Sequence, residues 1–162
     1  MAPGRSTQLI KQAGEYLVAA ELCRRGFVAT TFTGNVPEFD ILGITEQSEK
    51  TITIQVKTIK KGDWQFDASK FLEISQSGDI QTVRRKTEPP NSNLIYVFVK
   101  LGEQNQDEFY ICREEDVRKM IYEGYSDWLS KKKGKRPKNT KSTHTRLSTK
   151  NLESHKDRWE II

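Results

Sequence analysis

The sequence predicts an α+β domain in the order helix, three strands, helix, two strands, helix, with basic material trailing. Three observations carry this. Residues 51–58, TITIQVKT, alternate strictly: Ile52, Ile54 and Val56 share one face, and Thr51, Thr53, Gln55 and Lys57 share the other. Residues 16–23, YLVAAELC, are apolar around much of a helical circumference. Two further apolar runs, LIYVFVK at 94–100 and EFYIC at 108–112, are separated by a polar linker and read as a second strand pair.

The first helix spans residues 7–25. Ser6 or Thr7 caps its start, Arg24 and Arg25 suit its last turn, and Gly26 suits the position after its end. Its apolar content predicts a largely buried helix. FVATTF at 27–32 is a strand, GNVP at 34–37 a loop, and FDILGIT at 39–45 a strand. The polar turn 46–50 then closes a hairpin onto 51–58. An aromatic-bearing loop follows Lys61-Gly62-Asp63, and residues 68–75 are expected to form a helix. Residues 84–93, RRKTEPPNSN, are rich in breakers, and 114–123 form a helix with acids in its first turn. Residues 130–162 form a separate basic extension of a core spanning 1–129. The closing SHKDRWEII, with Trp159 and two isoleucines, predicts an extension that docks back on that core.

At 162 residues and 35% hydrophobic content the chain has one modest core. Cys23 and Cys112 lie in apolar runs and read as small buried hydrophobes of a reducing compartment. His144 and His155 stand far from them, which argues against zinc. The chain opens without a basic-then-apolar leader, and no apolar run approaches the ~18 residues of a membrane span. A cytoplasmic protein with no membrane partner is expected. The net charge of +5 is unevenly placed. Of 27 basic residues, nine fall between 131 and 150 with no acid among them, leaving 18 basic against 22 acidic residues elsewhere. Lys131, Lys132, Lys133, Lys135, Arg136, Lys138 and Lys141 belong to that segment, which is the footprint of a phosphate-binding surface or of a solvated tail. Lys60 and Lys61, just past the third strand, add to it. Trp64, Trp128 and Trp159 read as packing residues.

The predicted hairpin brings Asp40 to Gln55 and Lys57. A carboxylate, an amide oxygen and an ammonium meeting there suit a hard divalent cation, because Mg2+ takes oxygen ligands, keeps several waters and needs only one or two carboxylates. Taken singly, Gln55 and Lys57 are ordinary surface residues and Asp40 an ordinary turn residue after Pro37. The same-face spacing of all three points to a site. It also sets a structural condition: Asp40 must pair with Gln55 or Lys57, since opposite Val56 it would turn to the apolar face.

The stretches GEYLVAAELCRRGF, NVPEFDIL and TITIQVKT, within residues 14–58, resemble the PD-(D/E)XK nuclease superfamily, whose fold is called restriction-endonuclease-like. The archaeal Holliday-junction-resolvase-like branch and small bacterial groups of that superfamily are the most similar. The resemblance implies an αβββαβ core with a mixed central sheet flanked by helices. It implies that Asp40 binds the metal, that Lys57 positions the attacking water, and that Glu15 on the first helix is an additional ligand. The carbonyl of Val56 would complete the set. Glu21, on another face of that helix, competes with Glu15 for the role. Gln55 stands where the family carries Asp or Glu, so its neutral oxygen lowers divalent affinity. The implied activity is Mg2+-dependent cleavage of DNA, with Mn2+ able to substitute. Cutting both strands needs two sites, hence a homodimer or higher homo-oligomer. Two alternatives stay open: a DNA-binding module that has lost cleavage, and an RNA-processing nuclease.

Overall fold

The computed structural model describes residues 3–32, 38–47 and 50–162. The expected loop at 34–37 and part of the turn at 46–50 lie outside the described residues. The chain opens with helix α1, Pro3–Arg24. It begins a turn earlier than the capping residues predict, and Pro3 suits that place because the first helical N–H needs no partner. The end is as expected, with Gly26 at φ 84°. Its buried stripe is narrow: Gly14, Val18 and Leu22, four residues apart. Leu9 and Tyr16 are exposed, and so is Cys23. The expectations of a largely buried helix and of a buried Cys23 are therefore corrected. Cys23 follows Leu22 by 100° around the helix, which carries it off the Val18–Leu22 stripe.

Strands β1, Phe27–Thr31, β2, Ile41–Thr45, and β3, Thr51–Ile59, form an antiparallel meander. Next comes β4, Trp64–Asp67, where the sequence predicts a loop. The expected helix at 68–75 is also absent. Only Ala68–Lys70 coil, as a 3-10 turn capped by Asp67, and the chain then extends as β5, Leu72–Ser77. Leu72 and Ile74 alternate inward, and a turn at Gly78, φ 59°, folds β5 onto β6, Ile80–Arg85. Strands β7, Leu94–Lys100, and β8, Glu108–Arg113, follow. The central sheet is five-stranded in the order β1-β2-β3-β7-β8, with β3 and β7 parallel and every other neighbouring pair antiparallel. This is the mixed central sheet of the expected α+β class.

Helix α2, Glu114–Lys131, is longer than predicted. Its buried stripe Val117–Ile121–Tyr125–Leu129 continues past Gly124 at four-residue steps, and packing along that stripe outweighs the modest helix cost of one glycine. Strand β9, His144–Leu147, pairs with β4, and the short helix α3, Thr149–Leu152, follows it.

The sheet separates two hydrophobic cores. Ile52, Ile54, Val56, Ile95, Val97 and Ile111 meet Val18 and Leu22 of α1 on one face. Tyr96, Phe98, Tyr110 and Cys112 meet α2, Trp64 and Phe66 on the other. Leu147 and Leu152 are buried in that second core. Near the C-terminus, the Trp159 ring lies 5.5 Å from Phe109 and stacks under the Arg25 guanidinium at 4.5 Å. Among the described residues, no helix is long and apolar enough to cross a membrane.

Candidate active site

The last β2–β3 ladder pair is Ile41↔Ile54, with the Asp40 N–H donating to the Ile54 carbonyl at 2.7 Å. One step further, Asp40 faces Gln55, so the register condition is met. The Gln55 amide donates to Asp40 Oδ2. The backbone N–H of Val56 donates to the same oxygen at 2.7 Å. This second bond follows from the sheet splitting here. β2 begins at Ile41 while β3 runs on to Ile59, so Val56 has lost its ladder partner and Asp40 replaces it. A strand residue's N–H and C=O share one edge, so the Val56 carbonyl lies on the same open edge as Asp40.

Glu15 reaches this place because of the residue before it. Gly14 packs directly on Thr58 of β3, where even a methyl group would collide with that side chain. The backbone of α1 therefore approaches the end of β3 closely and carries Glu15 to the rim of the site. Burial, and then the negative charge of Asp40, push the Glu15 carboxyl above its usual range, with Lys11 opposing. Lys57, on the same face as Gln55, is half-buried. Burial pulls its ammonium below the usual lysine range, Asp40 opposes this, and Lys11 and Lys70 add to it. Glu21 is engaged elsewhere, in ion pairs with Arg24 and Arg25.

Gln55 and Lys57 open into a cleft of about 610 Å3 whose walls include Glu38, Lys70, Lys86 and Tyr96. None of these four is singled out by the sequence. Glu38 sits at φ 82°, in the left-handed region that a non-glycine residue enters at a cost. Tyr96 joins the site because the parallel register sets it beside Gln55, as it sets Phe98 beside Lys57. The signal available in LIYVFVK was its single hydroxyl on an otherwise apolar strand. Burial first, then Glu114, push the Tyr96 phenol up to about 12, so it keeps its proton at neutral pH.

The predicted basic residues are not gathered in one place. Lys131 pairs with Asp127 and Lys135 with Asp79, each at 2.7 Å. Arg136 lies over the Trp128 ring at 4.8 Å and donates to Tyr125 Oη and the His144 carbonyl, both at 3.1 Å, which gives it a packing role. Lys60, Lys61, Lys132, Lys133, Lys138 and Lys141 are exposed and form no ion pair among the described residues. Lys141 adjoins the cleft: it lines a shallow hollow with Gln65 and Asp67, which also border the cleft.

Among the described residues no three His, Cys, Asp or Glu side chains cluster as a metal site. The donor set here is different in kind. It comprises the carboxylates of Asp40 and Glu15, the Gln55 amide and the Val56 carbonyl, all oxygen donors. The repulsion from Asp40, which adds to burial in raising Glu15, is what a cation would relieve. That set fits Mg2+, which needs few protein ligands and fills its remaining positions with water. For Gln55 to offer oxygen beside Asp40, its amide must turn over from the orientation it holds.

With this geometry, the fold is a nuclease-like α+β fold on a mixed five-stranded sheet. A solved structure that shares it is that of a bacterial homing endonuclease, I-Ssp6803I. The match has a TM-score of 0.50 at 12% sequence identity and covers 96% of this chain and 92% of that one. At such identity the likeness is one of fold. No family model matches the chain, and no curated protein sequence does.

Proposed function

We propose that this protein is a Mg2+-dependent DNA endonuclease whose site is of the PD-(D/E)XK kind. The observation that carries the reading is the Asp40–Gln55 pairing at the split between β2 and β3, with Lys57 on the same face of the cleft. The nuclease-like fold supports it. Asp40, Glu15, Gln55 and the Val56 carbonyl would hold the cation. When bound, Mg2+ supplies a water of lowered pKa and offsets charge on the phosphate. Lys57 orients that water and stabilises the charge that builds on the phosphate oxygens, and its partial burial strengthens both effects. The unpaired surface lysines, Lys60, Lys61 and Lys141 among them, hold the DNA through its phosphates without reading sequence. Cutting both strands requires two sites, which we assign to a homodimer or higher homo-oligomer.

One observation favours a second reading. The Gln55 amide satisfies Asp40 without any cation. A protein that keeps the fold, binds DNA and does not cleave would look the same. The deciding experiment offers supercoiled plasmid, linear duplex, single strand, four-way junction and matched RNA to the wild-type protein and to Lys57→Ala, with Mg2+, Mn2+ or chelator. Metal-dependent DNA cleavage that disappears in Lys57→Ala is expected. Salt-sensitive binding with no product on any substrate would establish the binder, and preferential cutting of the RNA would overturn the DNA assignment.

A further inference from the structure

Tyr96 presents an unanswered question in the wall of the cleft. Its side chain is packed between Phe71 and Phe98, with ring centroids 6.1 and 6.2 Å away, and the residue is only 8% exposed. Its hydroxyl makes no hydrogen bond among the described residues, whereas the two more deeply buried phenols are both satisfied. Tyr110 donates to Glu108 at 2.6 Å, and Tyr125 donates to Gln81 at 2.7 Å. The hydroxyl oxygen is not enclosed: it opens into the cleft as a donor to whatever enters, and phenylalanine would fill the same aromatic slot without that donor. Phe98 does so two residues along the same face.

The surroundings indicate what the hydroxyl is for. Tyr96 lines the cleft with Lys57, Lys70 and Lys86. Of the three carboxylates that line the cleft, Glu114 is held by Arg118 at 2.8 Å and Asp67 takes hydrogen bonds from Ser69 and Thr143, which leaves Glu38 against the three lysines. A protonated phenol among ammonium groups that form no ion pair among the described residues suits an anionic oxygen acceptor. We propose that the Tyr96 hydroxyl donates a hydrogen bond to a non-bridging phosphate oxygen of the nucleic-acid strand that occupies the cleft. Tyr96 is then a positioning residue that sets the strand against Lys57. This rests on the nucleic-acid reading given above.

Tyr96→Phe removes the oxygen and keeps the ring, so its urea midpoint should match the wild type. The test is a methylphosphonate scan, in which each phosphate of a bound strand is neutralised in turn, read against both proteins. Removing a hydrogen bond to a charged group is worth about tenfold or more. Tyr96→Phe is therefore expected to cleave intact DNA about tenfold more slowly in single turnover. At one phosphate position, methylphosphonate should slow the wild type by a similar factor and the variant hardly further. Equal rates for the two proteins, or penalties that multiply at every position, would overturn the proposal and leave the hydroxyl holding a water only. If the wild type binds and does not cleave, the nuclease reading fails, and the same comparison in dissociation constants still decides on Tyr96. If it binds no nucleic acid, both fall.

Discussion

Replacing Gly14 with alanine opposes two effects whose signs differ, and the structure says which wins. In a bare helix, Gly→Ala stabilises by about 1 kcal/mol. Here a methyl on Gly14 would lie 2.8 Å from both Thr58 Cβ and Thr58 Cγ2, and closer still to Thr58 Oγ1. Thr58 is β-branched and sits in a central strand, so it cannot swing away freely. Overpacking of this kind costs about 1–3 kcal/mol, and three simultaneous contacts place it toward the upper end. Gly14→Ala should therefore lose about 1–2 kcal/mol net, which lowers the urea midpoint by about half to one molar for a small domain. Thr58→Ala removes the nearest atom, a buried hydroxyl oxygen with no partner among the described residues, and should by itself stay near wild type. The double variant should recover much of the loss, giving a coupling of about 1 kcal/mol or more. A Gly14→Ala protein more stable than wild type would show that α1 does not approach β3 closely, and the argument placing Glu15 at the site would fall with it.

Other expectations follow from the packing and charge of the same fold. Leu152 is fully buried in the core shared by α2 and β4, so Leu152→Ala should cost about 2–4 kcal/mol in thermal or urea unfolding, as a core leucine does. Glu108 is held at about 2 by the Tyr110 hydroxyl, then by Lys156 and Lys100. Its folded pKa lies below its unfolded value, so its contribution is fully present above about pH 5 and fades as pH falls toward 2. After solvent screening of this partly exposed group, that is about 1 kcal/mol. Glu108→Gln should flatten the stability–pH curve in that window, as followed by urea midpoints. Gln55→Glu restores a charged oxygen beside Asp40 and should tighten Mn2+ binding severalfold, measured by calorimetry.

The site's core was legible because it is local. Strict alternation in TITIQVKT fixes which residues share a face, and a short hairpin leaves few registers for Asp40. The close approach at Gly14 was not legible, since it depends on which residue of β3 meets the helix. The pairing of β4 with β9 escaped for the same reason: Trp64 and Phe66 alternate inward, but their partner strand lies at the far end of the chain. Residues 68–75 contain good helix formers, and their two-residue period at Leu72 and Ile74 outweighed that propensity. Tyr96 entered the site only through the parallel β3–β7 register, a long-range fact that no local pattern encodes. The basic segment was visible as composition. Its ion pairs with Asp79 and Asp127, and the stacking of Arg136 on Trp128, show that only part of that charge is free for a nucleic acid.

The most direct test of the central claim is divalent-metal binding itself, because it needs no knowledge of the DNA target. Mn2+ titrated into the wild-type protein and into Asp40→Asn, followed by electron paramagnetic resonance, reports whether the cluster at the β2–β3 split holds a cation. The account predicts binding to one site per chain in the millimolar range or tighter, lost in Asp40→Asn while the fold is kept. Binding that persists unchanged in Asp40→Asn, or no binding by the wild type with or without DNA, would contradict it.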